Sequence, residues 1–85
     1  MEKYEVYIIF SVISKRYYIG QTKNFGNRII RHNKGLVKST KHGVPWKLVV
    51  KIEVSSRSEA VVLENKIKKR GAKRYLEDNN IIFGV

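Results

Sequence analysis

From Val6 to Ile52 the sequence contains no carboxylate, yet this span holds ten cations: Lys15, Arg16, Lys23, Arg28, Arg31, Lys34, Lys38, Lys41, Lys47 and Lys51. Nothing local can pair them. Unpaired cations repel one another within a small fold, and a phosphate backbone relieves that repulsion by giving up its condensed counterions. The acids fall outside the span, at Glu2, Glu5, Glu53, Glu59, Glu64, Glu77 and Asp78. A second basic cluster, Lys66, Lys68, Lys69, Arg70, Lys73 and Arg74, follows the later acids. The sum is 18 Lys and Arg against 7 acids, a formal charge of +11. A partner rich in phosphate suits this distribution better than a merely solvated basic surface does. A membrane surface suits it less well, because no segment joins basic residues to a clean apolar helical face with interfacial aromatics.

Eighty-five residues make one domain, expected over 1–85 with its core at about 4–80. At 42% hydrophobic the chain lies above the disordered range, so a packed core is expected rather than a tail. Cysteine is absent, which excludes a disulfide framework, a zinc knuckle and a thiol nucleophile. The longest apolar run, Val6 to Ile13, is broken by Ser11 and falls far short of a membrane span. The N-terminus lacks the pattern of a signal peptide, so a cytoplasmic protein is expected.

Tyr4 to Phe10 and Arg16 to Gly20 are rich in aromatic and β-branched residues and read as strands. A loop over Ser11–Ser14 joins them as an antiparallel hairpin, with Phe10 opposite Lys15 and Tyr7 opposite Tyr18. Opposed side chains stand about 4.5–5.5 Å apart at Cβ, so both phenols are expected on one face. A helix follows, with Thr22 as N-cap and Gly35 as its end. Phe25, Ile29 and Ile30 form its buried arc, while Arg28 and His32 lie four apart on its border. Gly35 to Pro45 is a loop with Lys38, Ser39, Thr40, Lys41 and His42, long enough to suspect a function. Trp46, Leu48, Val50, Ile52 and Val54 alternate with Lys47, Lys51 and Glu53, a third strand with one face inward. Ser56-Arg-Ser-Glu59 is a capping box that opens a second helix, with a core stripe of Ala60, Leu63 and Ile67 and an end at Gly71. Ala72 to Asp78 forms a last short helix. The order β-β-α-β-α-α predicts an α/β (α+β) fold, a three-stranded antiparallel sheet flanked by helices.

Some residues stand out against this frame. Glu64 lies between Ala60 and Ile67 along the apolar stripe, roughly 40° from Ala60 at about 100° per residue. A carboxylate there needs a cation, a metal or strong hydrogen bonds in exchange for lost hydration. Its plainer reading is a surface pair with Lys68 at i+4. Arg28 and His32 alone would be a solvated pair. Beside two tyrosines they suit a phosphate diester, which needs a cation where charge develops and a group to manage a proton. Tyr7 and Tyr18 alone read as core aromatics with exposed hydroxyls, and Asn79 and Asn80 as helix-terminal or turn residues.

Together these residues resemble the GIY-YIG nuclease superfamily over about Tyr4 to Asn80. Tyr18-Ile19-Gly20 matches the YIG element literally, and Tyr7 sits where the final tyrosine of the GIY element belongs. That element reads Glu5-Val6-Tyr7, so Glu5 replaces the family's glycine. Arg28, His32 and Glu64 fall where the family carries its arginine, histidine and metal-binding glutamate. Asn79, with Asn80 adjacent, is the candidate for its terminal asparagine. Pro-Trp-Lys-Leu-Val and the tail from Lys66 to Asp78 resemble the small stand-alone bacterial members.

The resemblance implies hydrolysis of DNA phosphodiesters with one divalent ion, Mg²⁺ or Mn²⁺, held directly by Glu64 with water completing its shell. Arg28 would contact the scissile phosphate. Tyr7, its ionised form favoured by the surrounding cations, would position or deprotonate the attacking water with help from His32. Tyr18 would hold phosphate or water in line, and Asn79 would brace the site. Lys23, Arg31, Lys34, Lys38 and Lys41 would contact the nucleic acid. The implied partner is DNA, with no membrane and no small-molecule cofactor, and a protein partner could supply target choice in repair or recombination. Two other classes compete with this endonuclease reading. One is a basic nucleic-acid-binding domain that cuts poorly or not at all; the other is a subunit that docks its basic faces on a protein's acids.

Overall fold

Three antiparallel strands, β1 (Tyr4–Ser11), β2 (Arg16–Thr22) and β3 (Trp46–Val54), form a sheet of order β2-β1-β3. The structure is a computed structural model that describes residues 3–81. The helices are α1 (Phe25–Asn33), α2 (Arg57–Arg70) and α3 (Ala72–Asp78), with a 3-10 turn at Lys41–Gly43 inside the long loop. The element order is the one anticipated above. β1 is the central strand because it is the one that can be buried on both faces: Val6, Tyr7, Ile8 and Ile9 are consecutive and all inside. Val6 and Ile8 pack against Ala60, Ile67, Ala72 and Leu76 of α2 and α3. Tyr7 and Ile9 point the other way, to Phe25 of α1 and Trp46. The sheet therefore carries two separate apolar layers, and the candidate residues belong to both.

The hairpin register differs from expectation. Tyr7 pairs with Gly20, Ile9 with Tyr18 and Phe10 with Tyr17, and the turn occupies residues 12–15. β1 runs one residue further than the pattern suggested, so Ser11 pairs with Arg16 instead of entering the loop. The register moves by two, and a shift of two leaves every side chain on its face. Tyr7 and Tyr18 thus share a face as expected, but diagonally.

α1 starts at Asn24, not Thr22. Thr22 still belongs to β2, and the Asn24 side chain accepts the Asn27 N–H at 3.1 Å. Nor is its buried arc the anticipated one. Ile30 is 52% exposed, whereas His32 is completely buried beside Phe25. The helix is only nine residues long and presents the Phe25–Ile29–His32 line to the sheet, which leaves Ile30 about 100° away from Ile29 on the solvent side.

β3 departs from simple alternation through a bulge. Ile8 pairs with Val50 but Ile9 with Leu48, so Val49 is an extra residue. Trp46 consequently faces the Tyr7 layer, while Val50 and Val54 pack on the layer under α2. Leu48 is 40% exposed instead of inward.

α2 opens as anticipated, with the Ser56 hydroxyl accepting the Glu59 N–H at 3.1 Å. The return bond runs one residue further back, from the Ser55 N–H to Glu59 Oε1 at 2.8 Å. Ala60 and Ile67 anchor the helix in the core, with Leu63 at its margin. Gly71 ends it at φ +92°, a conformation that a side chain would penalise, and lets α3 turn back at once. No described helix is long and apolar enough to cross a membrane.

Candidate active site

Tyr7 leaves the central strand over its edge neighbour and lies directly above Gly20. A Cβ on Gly20 would come within 2.6 Å of Tyr7 Oη and 2.7 Å of Cζ. The glycine that follows Tyr18-Ile19 is therefore the space the phenol occupies. Phe25, at 5.2 Å between ring centroids, and Tyr18, at 6.4 Å, hold the Tyr7 ring from either side.

A buried relay begins at this hydroxyl. Tyr7 Oη lies 2.9 Å from His32 Nε2, and His32 Nδ1 lies 2.7 Å from Thr40 Oγ1. The Thr40 hydroxyl donates onward to the Val37 carbonyl, at 3.4 Å, so its oxygen is left to accept from Nδ1–H. That assignment makes Nε2 an acceptor and Tyr7 the donor. Thr40 is in turn fixed by Trp46, whose Nε1–H donates to the Thr40 carbonyl at 2.8 Å. Asn33 clasps the Trp46 backbone, accepting its N–H at 2.6 Å and donating to its carbonyl at 3.2 Å. The loop after α1 is thus tied to the start of β3, and the tie orients the imidazole.

Electrostatics agree with this direction of bonding. Burial, then the charges of Arg28 and Arg31, lower the His32 pKa to about 4, so the ring is neutral and can accept. The Tyr7 phenol is pushed up, first by burial; Tyr18 and Glu64 add to the rise, and Arg28 opposes it. This corrects the expectation of an ionised tyrosine. The penalty for burying a phenolate outweighs the nearby cation, and Tyr7 stays protonated as a donor.

A stability prediction follows from His32. Its folded pKa lies below the unfolded value near 6.5, so the unfolded chain takes up the proton first. The stabilisation is complete above about pH 6.5 and declines as the pH falls toward 4, by at most about 3 kcal/mol. Denaturant midpoints should fall across this window, while the His32 ring resonances remain those of a neutral imidazole near pH 5.5. A His32 titration near 6.5 would refute the buried relay.

Arg28, on the same helix face as His32, is half-buried, and its Nε–H is buried with no partner. Such an orphan costs about 1–3 kcal/mol and is uncommon in folded proteins. Glu64 approaches from α2, beneath the other face of the sheet. Its Oε1 accepts from the Gln21 side chain on edge strand β2 at 3.0 Å, and its Oε2 pairs with Lys68. The plain reading as an i,i+4 pair thus holds, and the carboxylate is also close enough for its charge to raise the Tyr7 pKa. Among the described residues no three His, Cys, Asp or Glu gather as a cage. One carboxylate could hold only a hydrated hard cation that keeps most of its water, and one of the Glu64 oxygens already faces an ammonium that such a cation would have to displace.

Tyr7, Tyr18, Arg28 and His32 are brought together, with Glu64 reaching toward them past β2. Asn79 acts locally instead, capping α3 as its amide donates to the Tyr75 carbonyl at 2.8 Å, and Asn80 follows at φ +57°. Arg31, Lys34, Lys38 and Lys41 are exposed and make no ion pair among the described residues, while Lys23 lies over the Tyr4 ring at 5.6 Å.

Sequence reasoning did not assign Gln21, Asn33 or Thr40, nor the role of Glu5. The Glu5 carboxylate accepts the Phe25 N–H at 2.9 Å and pairs with Lys51 at 3.3 Å. It supplies the negative group that the first turn of α1 lacks. Only for Thr40 was there a signal, the length and polarity of its loop.

The family model described as the GIY-YIG catalytic domain matches residues 3–76. The solution NMR structure of the UPF0213 protein BH0048 from Bacillus halodurans is similar at a TM-score of 0.58 and 25% identity, covering 96% of this chain and 87% of that one. No curated protein matches the sequence. A family match that takes in both tyrosines, Arg28, His32 and Glu64 leads to one assignment: the chain belongs to the GIY-YIG family of nuclease domains.

Proposed function

We propose that the chain is a DNA endonuclease using one divalent ion, Mg²⁺ or Mn²⁺, acting as a single domain over 1–85, although its outermost residues lie outside the described range. The observation that carries this reading is the Tyr7–His32–Thr40 relay beside the unpaired Arg28 Nε–H. Arg28 holds the scissile phosphate. Tyr7 takes a proton from the attacking water as its own passes to His32 Nε2, so no phenolate accumulates in the buried site. The phosphate that Arg28 binds also offsets part of the cationic charge that depresses His32, which makes the imidazole more basic when substrate is present. Thr40 keeps Nδ1–H oriented through the transfer. Glu64 would hold the ion, with Gln21 fixing one carboxylate oxygen and Lys68 having to yield the other. When bound, the ion would stabilise the leaving oxygen and the charge on the phosphate. Tyr18 lines the approach, Asn79 braces the end of α3, and Lys23, Arg31, Lys34, Lys38 and Lys41 gather the backbone without sequence preference. The proposed role lies in repair or recombination, with target choice left to DNA shape or to a protein partner.

One observation favours a second reading, a binding domain that cuts weakly: Lys68 already neutralises the Glu64 oxygen the ion would need. The test is incubation with supercoiled, single-stranded and branched DNA in Mg²⁺, in Mn²⁺ and with chelator, beside Arg28→Ala. Metal-dependent cutting that falls about a hundredfold or more in the variant supports the nuclease. Salt-sensitive binding with no cutting on any substrate selects the second reading.

A further inference from the structure

Beside the relay, with the Tyr18 ring between them, lies a cavity of about 560 Å³ between the β1–β2 turn and the loop before β3. Its aromatic lining comes from Tyr18 and Trp46, since the neighbouring Tyr17 ring packs on the opposite face against Phe10; its cation comes from Arg16, and its hydrogen-bonding groups include Ser39 and His42. No carboxylate lines it, as expected for a cavity built wholly from the acid-free span. Arg16, Ser39 and His42 are exposed and free to turn toward a ligand, while Trp46 is a fixed wall, bonded through its ring to Thr40. Gly43 keeps the wall close, since a Cβ there would meet the Trp46 ring at 2.6 Å.

We propose that this cavity binds one unpaired nucleotide of a single-stranded DNA segment, the residue flanking the phosphate at Arg28. Aromatic rings beside a cation, with no acid among them, match a base joined to a phosphate, and every base offers a face for stacking. Tyr18 edges the His32 ring at a centroid distance of 5.2 Å and also lines the cavity, so a nucleotide seated there leads its strand directly past the relay. A base within a duplex must unstack and unpair to enter such a concave site, whereas a single-stranded base is already free. The cavity therefore selects frayed, flapped or gapped DNA over intact duplex. How the bound strand is used rests on the nuclease reading; the binding does not.

Trp46 is the chain's single tryptophan, so its fluorescence reports occupancy. In chelator, where no metal-dependent cutting interferes, a short oligothymidylate should change Trp46 emission and bind about tenfold or more tightly than a blunt duplex of equal length. The double variant Arg16→Ala, His42→Ala should reduce single-strand affinity to the duplex level, and Ser39→Phe, which fills the cavity from an exposed position, should do the same. Thermal melts and amide spectra of each variant establish that it is folded. Equal affinity for both DNA forms, or a single-strand preference that survives both variants, overturns the proposal. Glu64→Gln separates the two ideas, because it should leave the Trp46 response intact; a protein that never cuts but shows the response retains the pocket and loses the nuclease.

Discussion

Glu64→Gln is expected to lower metal-dependent cleavage about a thousandfold or more while leaving the fold and the binding of DNA intact. The substitution removes the charge and little else. Gln21 can still donate to the remaining oxygen, and α2 keeps its seat through Ala60 and Ile67, both fully buried. The i,i+4 pair with Lys68 is lost, but the neutral amide that replaces the half-buried carboxylate needs no counter-charge. Lys68 is then released, so affinity for DNA in chelator should rise slightly. Single-turnover cleavage, a melting curve and a binding isotherm together check this. Cleavage at the wild-type rate in Glu64→Gln would remove Glu64 as the metal's ligand and with it the proposed mechanism.

Gly20→Ala should have the second large effect, through contact alone. The new Cβ would stand 2.6 Å from Tyr7 Oη and 2.7 Å from Cζ, with Tyr18 Cε2 at 3.1 Å. The Tyr7 ring is 1% exposed and bounded by Phe25 and His32, so it cannot slide aside without leaving its hydrogen bond. Overpacking of this kind costs about 1–3 kcal/mol, which in a domain of this size lowers the melting temperature by about 10 °C. Cleavage should fall about a hundredfold, because the hydroxyl moves relative to Arg28 and His32. Comparison with Gly26→Ala, where the nearest atom beyond the chain neighbours is the Asn24 side-chain oxygen at 3.3 Å, separates crowding at Tyr7 from the general effect of adding a methyl. An unchanged melting temperature with full activity would contradict the close approach.

Much of the fold was legible because the signals are local. The aromatic and β-branched run of β1, the Ser56 cap of α2 and the glycine at position 71 each act within a few residues of themselves. The errors arose where a distant element intervened. β2 continues through Thr22 because β1 offers it partners as far as Glu5, and this moved the start of α1 to Asn24. The bulge at Val49 answers the pairing needs of β1 and has no signature within β3. His32 illustrates the same limit for the site. Its position on the helix border suggested solvent, yet the loop carrying Thr40 folds over it and excludes water completely.

Sequence alone was enough for the element order, the shared face of Tyr7 and Tyr18 and the concentration of positive charge, because these depend on residue type and on spacings of a few residues. Within the acid-free span from Val6 to Ile52, Arg31, Lys34, Lys38 and Lys41 are left exposed, whereas Lys51 finds Glu5 across the sheet. Folding settled the state of the protons. Whether Tyr7 is a phenol or a phenolate depends on how deeply it is buried against how closely Arg28 approaches, and burial prevails. The direction of the relay depends on Thr40, eight residues beyond His32 and held by Trp46. Glu5, which departs from the family's glycine, acquires its purpose only when α1 brings the Phe25 N–H within 2.9 Å. Desolvation and hydrogen bonding across long loops depend on the neighbours that folding supplies, and no spacing along the chain encodes their balance.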